Sequence, residues 1–552
     1  MTQNAEHFKE SGYEPVEQNV GKKNKKFEKL GLKKSMRNVF SKIAEHRPRR
    51  GLLEKIEEIR QGLQVDLDMQ QRIIKKLHIS MQRGLEENTG RNCDDGREDA
   101  LSMFLSYVTS RPHAKTVVGK ECLSMDLGGT YLRISHVKFN AHDGGQFKDE
   151  YEIKQEKYKI TDEAKTATLF EWVAEQVEEF METKAIGQIE KDVCIPCGFT
   201  FSFPTDQTAI DKGILRLWCK GFAVPDIEGK RDVVELTQSE MDKRGVKVKI
   251  VALLNDTVAT MVASTYFHSR TAMCTIFGTG NNASYWEKIK DIPKYTPPDK
   301  NSGARVGGND SSNSSGGASD DEMAINIEWG AFDNLREVLP YTNYDNDINR
   351  RSPPIGLQVL EKMVAGLYLG EVVRVILVDL IDHKLLFSHQ GNDFMSLRRF
   401  FREEYSFDTA LISVIVADDS EDLEDVADII APELPDHVNI TQLDLLIIKY
   451  ICLLTSIRSA SLSAAMVAGV LLFRNKHESL VPTVLSDDPN QNIVVVGVEG
   501  SAYDLPGFSQ FLSASTNSLL SYNNVKFKAV FEFVQNASIL GSAIVALMTS
   551  SA

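Results

Sequence analysis

Leu123-Ser124-Met125-Asp126-Leu127-Gly128-Gly129-Thr130-Tyr131-Leu132-Arg133-Ile134 is the stretch on which the reading of this chain turns. An apolar strand runs into a tight Gly-Gly turn and a second strand leaves it. Two glycines let backbone N–H groups come closer to a phosphate than any Cβ would permit. The carboxylate of Asp126, just before the turn, suits a Mg²⁺ ion held through its water shell. About 150 residues on, the same design recurs: the run Thr271 to Phe277, then Gly278-Thr279-Gly280, then Asn281-Asn282-Ala283-Ser284-Tyr285. One Gly-rich turn is weak evidence, because hairpins use glycine routinely. Two such turns facing one another across a cleft would grip a triphosphate from both sides.

Outward from these turns, apolar runs at Val193 to Phe203 and Ile250 to Leu254 alternate with helical stretches such as Leu169 to Glu182, the pattern of an α/β sheet lobe. From Leu52 to Leu85 apolar residues recur at intervals of three and four, which predicts one or two amphipathic helices closed by Gly84. Helices dominate Gly356 to Phe387, Met395 to Glu404 and Ile440 to Phe473. A strand at Ile493 to Val498 and a final helix at Leu540 to Met548 follow. The most apolar stretch, Leu445 to Phe473, is interrupted by Lys449 and Arg458, so it reads as buried helix rather than membrane span.

The 552 residues, 42% of them hydrophobic and 26% charged, exceed what one simple globule holds, so two lobes are expected. A net charge of −15 argues against a nucleic-acid-coating surface. That charge is uneven: residues 1–50 carry 13 Lys/Arg against 6 Asp/Glu. They are expected to be a disordered basic arm, a solvated tail first and a nuclear-import or acidic-surface segment second. Residues 296–322, with repeated Gly-Gly and Ser-Ser, are expected to be a disordered insertion. Seven cysteines make no disulfide framework and point to a reducing compartment, and Cys194 and Cys197 read as core residues of a strand.

Between and after the two turns stand Gly198-Phe199-Thr200-Phe201-Ser202-Phe203-Pro204, Trp218-Cys219-Lys220-Gly221-Phe222, Leu254-Asn255-Asp256-Thr257, Asn326-Ile327-Glu328-Trp329-Gly330 and Glu361 to Gly366. With them the chain resembles the hexokinase family from about Leu52 to Leu547. The resemblance implies a two-lobed actin-like ATPase fold, with duplicated sheet and helix domains around a central cleft. Residues 51–110 would supply helices to the large lobe, 111–256 the small lobe together with the terminal helix 538–552, and 257–537 the rest of the large lobe.

The same resemblance implies roles. Asp256 matches the catalytic base that accepts the proton of a sugar 6-hydroxyl, and Lys220 offsets charge on the transferred group. Ser202, Asn255, Asn282, Glu328 and Glu361 match the sugar-contacting set. Asp126, Gly128, Gly129, Thr130, Arg133, Gly278, Thr279, Gly280, Gly500, Ser501 and Ser538 match the nucleotide side, where ATP would bind with Mg²⁺ near Asp126 and Asp256. Lobe closure on sugar would keep water from competing as acceptor.

Departures from the family pattern cluster on the nucleotide side. Tyr131 stands where the family has Asn, Cys219 where it has Thr, and Glu499 where it has Asp. Ile457 replaces a common Thr. Ile539 replaces a Gly, and is expected to clash or reshape the pocket if that position needs φ > 0 or lies against adenine. The implied activity is an ATP-dependent hexose kinase in the cytoplasm, with nuclear import as a second location. The alternatives are a kinase for N-acetylglucosamine and a non-catalytic sugar-sensing relative that works through protein partners on the basic arm and the insertion.

Overall fold

The computed structural model describes residues 31–86, 100–140, 151–166, 168–184, 194–216, 218, 222–224, 232–297, 321–388, 401, 403–434, 438–477, 480 and 492–550. Two sheets of matching topology carry the site. β1 (Phe104–Leu105) is a short edge strand. β2 (Glu121–Leu127), β3 (Tyr131–Phe139) and β4 (Tyr151–Lys159) form an antiparallel meander, to whose first strand β5 (Ile195–Phe201) adds in parallel. A hairpin of β6 (Thr205–Ala209) and β7 (Lys212–Leu215) precedes β8 (Val248–Leu254), which pairs parallel with β5. The sheet order is β4-β3-β2-β5-β8.

The second sheet repeats the plan. β9 (Thr271–Phe277), β10 (Asn281–Lys288) and β11 (Glu322–Asn326) are an antiparallel meander, and β12 (Ile493–Glu499) and β13 (Lys528–Phe533) add in parallel. With β1 on its edge, the order is β1-β11-β10-β9-β12-β13. The duplication expected from the two Gly-rich turns is therefore a duplication of whole sheets.

Continuous apolar runs form the inner strands because both faces are covered. On β2, Leu123, Met125 and Leu127 pack with the helix Leu169–Thr183. Its opposite face meets the helix Ala537–Ser550, where Ser124 Oγ lies 2.6 Å from Ser542 Oγ. This last helix leaves β13 of the second sheet and packs on β2, β5 and β8 of the first. The helix Asp256–Phe267 makes the reverse journey, from β8 to β9 and β10. The two crossing helices touch where a Cβ on Gly541 would stand 1.8 Å from the Ala259 carbonyl oxygen, so only glycine permits the approach.

The apolar segment 445–473 lies within one helix, Gln442–His477. It has the length and apolarity to cross a membrane, but 94% of its most apolar window is buried inside the protein. The helices Arg50–Leu63 and Leu67–Glu86 bear out the amphipathic pattern and pack into the same core.

Three expectations change. The basic arm is not disordered throughout: Leu32–Glu45 is a helix, with Leu32, Val39 and Ile43 buried. Its apolar stripe lies on the long helix, with Phe40 and Tyr450 ring centroids 5.7 Å apart. Residues 1–30 lie outside the described residues. So do 298–320 of the presumed insertion, but Glu322 begins β11, where Arg111 and Arg474 pair with it. Cys197 is buried in β5, whereas Cys194 precedes the strand and is exposed. Most of the helix expected at Met395 to Glu404 lies outside the described residues.

Candidate active site

The helix Asp256–Phe267 starts where β8 ends, and Asn255 caps it: its Oδ1 accepts from the Thr257 N–H at 2.9 Å and the Thr257 hydroxyl at 2.6 Å. An Asn-Asp pair at a helix start holds Asp256 in the first turn, where the helix dipole favours a carboxylate. The Thr257 N–H also lies 2.8 Å from Asp256 Oδ1.

Across the cleft, the second Gly-rich turn and the end of β11 build an amide and carboxylate network. Asn282 Nδ2 donates to Glu328 Oε1 at 2.8 Å and to Asn326 Oδ1 at 2.9 Å, and Asn326 Nδ2 donates to the same Glu328 oxygen at 2.8 Å. Glu328 sits at φ 57°, ψ 46° in the left-handed region, which a non-glycine residue occupies only when its surroundings hold it there. The Glu328 N–H donates to Asn282 Oδ1 at 3.0 Å. Desolvation above all, with the charges of Asp256 and Glu361 beside it, pushes the Glu328 carboxyl up to about 7. Glu361 Oε2 accepts the Asn281 N–H at 3.2 Å, which ties the helix Val359–Val364 to β10.

These contacts bring together Asn255, Asp256, Asn282, Glu328 and Glu361. Ser202 follows β5, and its N–H reaches the Leu127 carbonyl at 3.4 Å, beside the first turn. Lys220 and Cys219 lie outside the described residues. Sequence reasoning overlooked Asn326 and Thr257, although Thr257 Oγ1 and Asn326 Oδ1, 3.4 Å apart, join the two halves of the network. Their signal was adjacency alone, Thr257 after Asp256 and Asn326 two before Glu328.

The residues expected on the nucleotide side form a second cluster. Asp126 Oδ2 accepts from Arg133 Nη1 at 3.3 Å and from the Ser538 hydroxyl at 3.1 Å. The turn Gly278 to Gly280 is held by the helix Gly366–Asp382, whose Gly366 N–H donates to Gly278 O at 2.8 Å and Leu367 N–H to Thr279 O at 3.1 Å. Gly500, at φ 110°, backs onto this turn: a Cβ there would lie 2.4 Å from the Phe277 carbonyl. Thr130, Thr279 and Ser501 are exposed at the rims. Glu499 joins the two clusters. It is pushed up to about 7 by burial first, then by Asp256 and Asp126.

Two glycine turns with exposed threonines, a buried acid at Asp126 and the Ser538 hydroxyl fit a nucleotide phosphate chain with a hydrated divalent ion. Two departures lose their force here. Ile539 lies within the helix Ala537–Ser550, buried in the core, and is not among the positive-φ residues. Ile457 lies on the long helix against the core, next to Arg458, whose Nη2 pairs with Asp345 at 2.6 Å. Both side chains serve packing.

Comparison with known proteins identifies the family. Two family models described as hexokinase match residues 55–266 and 272–548, and their junction falls between the helix Asp256–Phe267 and β9. The chain is 32% identical to hexokinase-2 of Candida albicans over 517 residues, covering 90% of this chain and 92% of that protein. It is 30% identical to hexokinase-1 of Saccharomyces cerevisiae over 508 residues, with 90% and 92% covered. Among solved structures, the hexokinase from Schistosoma mansoni complexed with glucose superposes with a TM-score of 0.71 at 28% identity, covering 90% of this chain and 99% of that one.

Proposed function

This chain belongs to the hexokinase family, and from that premise we propose that Asp256 is the base with which it moves a phosphoryl group from ATP to the 6-hydroxyl of a hexose. The chain is an ATP-dependent hexose kinase with the two-lobed actin-like fold. The observation that carries the assignment of Asp256 is its place in the first turn of a helix that faces the Asn282, Asn326 and Glu328 network.

In this reading Asn255, Asn282, Glu328 and Glu361 hold the sugar through paired hydrogen bonds to neighbouring hydroxyls, together with Ser202. The Asp256 carboxylate takes the 6-hydroxyl proton as that oxygen bonds to the terminal phosphorus and the bond to ADP breaks. Such general-base help is worth on the order of 10² to 10⁴ in rate. Lys220 offsets the charge that develops on the transferred group. Asp126, Arg133, Ser538 and the turns Gly128-Gly129 and Gly278 to Gly280 hold the phosphate chain. Mg²⁺ bound with the nucleotide would supply charge neutralisation at the phosphates.

The relatives do not favour the N-acetylglucosamine kinase or the non-catalytic sensor. Turnover of a panel of hexoses with Mg·ATP tests the assignment. The wild type should form hexose phosphate, and Asp256→Asn should lose at least about a hundredfold in kcat while glucose still raises its melting temperature. An Asp256→Asn variant with near-normal turnover would remove Asp256 from the role. A cytoplasmic location belongs to the same reading. Deleting residues 1–30 and finding an unchanged distribution would dismiss nuclear import through the arm.

A further inference from the structure

Tyr131 stands at the start of β3, directly after the turn assigned to the phosphates, where the family has a small amide. Its ring is not idle. Lys157 Nζ sits 3.8 Å from the ring centroid, a cation–π contact across two strands. The register puts Asp126 opposite Arg133 and Arg133 opposite Lys157, so three charged side chains cross β2, β3 and β4 in one row on one face. Tyr131 and Lys159, themselves opposite, share that face by the two-residue period. Asp126 anchors the row to the start of the helix Ala537–Ser550 through Ser538. Arg133 is 42% exposed and Lys157 is exposed, so the row opens from a buried acid to solvent-facing cations on the strand that leaves the Gly128-Gly129 turn and on its neighbour.

We infer that Lys157 contacts the phosphate chain of the bound nucleotide and that Tyr131 positions it there. The inference rests on the kinase reading. A lysine carries much rotamer freedom, and ordering it after binding opposes affinity. Seating its ammonium on the ring beforehand removes part of that opposition, while the charge stays available to an anion. Arg133 is already engaged with Asp126, whereas the Lys157 ammonium, seated on the Tyr131 ring, belongs to an exposed side chain.

Isothermal titration calorimetry with Mg·ATP, paired with steady-state kinetics, tests this. Lys157→Ala should raise the Kd and the KM for Mg·ATP about tenfold, the scale of one charged hydrogen bond. The KM for hexose should move far less, and so should kcat. Tyr131→Ala should reproduce much of the loss and add nothing in the Lys157→Ala background, whereas Tyr131→Phe, which keeps the ring, should restore binding. The wild type's affinity should also weaken more steeply with salt than that of Lys157→Ala. Wild-type binding with an unaltered Lys157→Ala overturns this inference alone, as does an equal rise in hexose KM. A wild type that neither binds Mg·ATP nor turns over overturns the kinase reading and this one with it.

Discussion

The Thr260 hydroxyl lies 2.9 Å from Glu499 Oε2 and 2.9 Å from the Asp256 carbonyl oxygen. A hydroxyl has one proton, so it cannot donate to both. Both contacts are satisfied when the Glu499 carboxyl carries a proton and gives it to Thr260. Burial first, then the charges of Asp256 and Asp126, hold the Glu499 carboxyl up to about 7, against the lowering effect of the Thr260 contact.

A stability profile follows from this pair. Glu499 keeps its proton to higher pH when folded than in the unfolded chain, so its contribution is present below the ordinary carboxylate range. That contribution is lost as pH rises to about 7. Thermal stability of the ligand-free protein between pH 5 and 8 should therefore fall with pH less steeply in Glu499→Gln than in the wild type. Equal slopes would show that Glu499 is ionised throughout.

Glu328 shifts in the same direction, and its two amide donors make it more than a buried acid. In Glu328→Gln the amide oxygen can still accept both bonds, which converge on one oxygen, but the carboxylate that the proposed function pairs with sugar hydroxyls is gone. Hexose KM should rise about tenfold or more, with the melting temperature at pH 8 equal to or above the wild type. A fall in stability without any change in hexose KM would assign Glu328 to the fold alone.

Gly541 is the contact point of the two helices that cross between lobes. A methyl there meets Ala259 backbone at 1.8 Å on a wall that has no rotamer to change. Gly541→Ala should destabilise by about 3 kcal/mol or more, the upper range for overpacking. Denaturant unfolding reads this directly, and a midpoint equal to the wild type would mean that the helices separate easily.

Asp345 and Arg458 form an ion pair 1% and 3% exposed, Arg458 and Asp345 respectively. Arg458 Nε and Nη1 have no hydrogen-bond partner among the described residues. Removing the acid leaves a buried charge uncompensated, at a cost of about 3 to 5 kcal/mol. Asp345→Ala should thus lower the denaturation midpoint, and the double variant Asp345→Ala with Arg458→Met should recover most of the loss. No recovery would point to a separate role for Asp345 in the cap it makes with Thr342.

The run Leu123 to Arg133 and its echo at Thr271 to Tyr285 made two sheets and a cleft legible, because strand periodicity and glycine turns are local properties of the backbone. The helix Leu32–Glu45 was legible too: Leu32, Met36, Val39, Phe40 and Ile43 keep a helical spacing, but a lysine-rich composition outweighed it. The motifs that carry the family resemblance pointed to Asp256, Glu328 and Glu361, because a motif is a run of adjacent residues that the sequence shows directly.

Tertiary structure alone decided which of them meet, and what Tyr131, Ile457 and Ile539 do. Thr260 and Glu499 are 239 residues apart, and their contact depends on how β12 enters the second sheet. Ile539 looked like a misplaced branch in a glycine motif until the crossing of two helices made it a core residue. Lys157 has no motif, and only the pairing of β3 with β4 sets it on Tyr131. A sequence determines the turns and faces that short-range sterics and periodicity control. Contacts between distant segments follow from register and helix crossing, which depend on the packing of the whole chain.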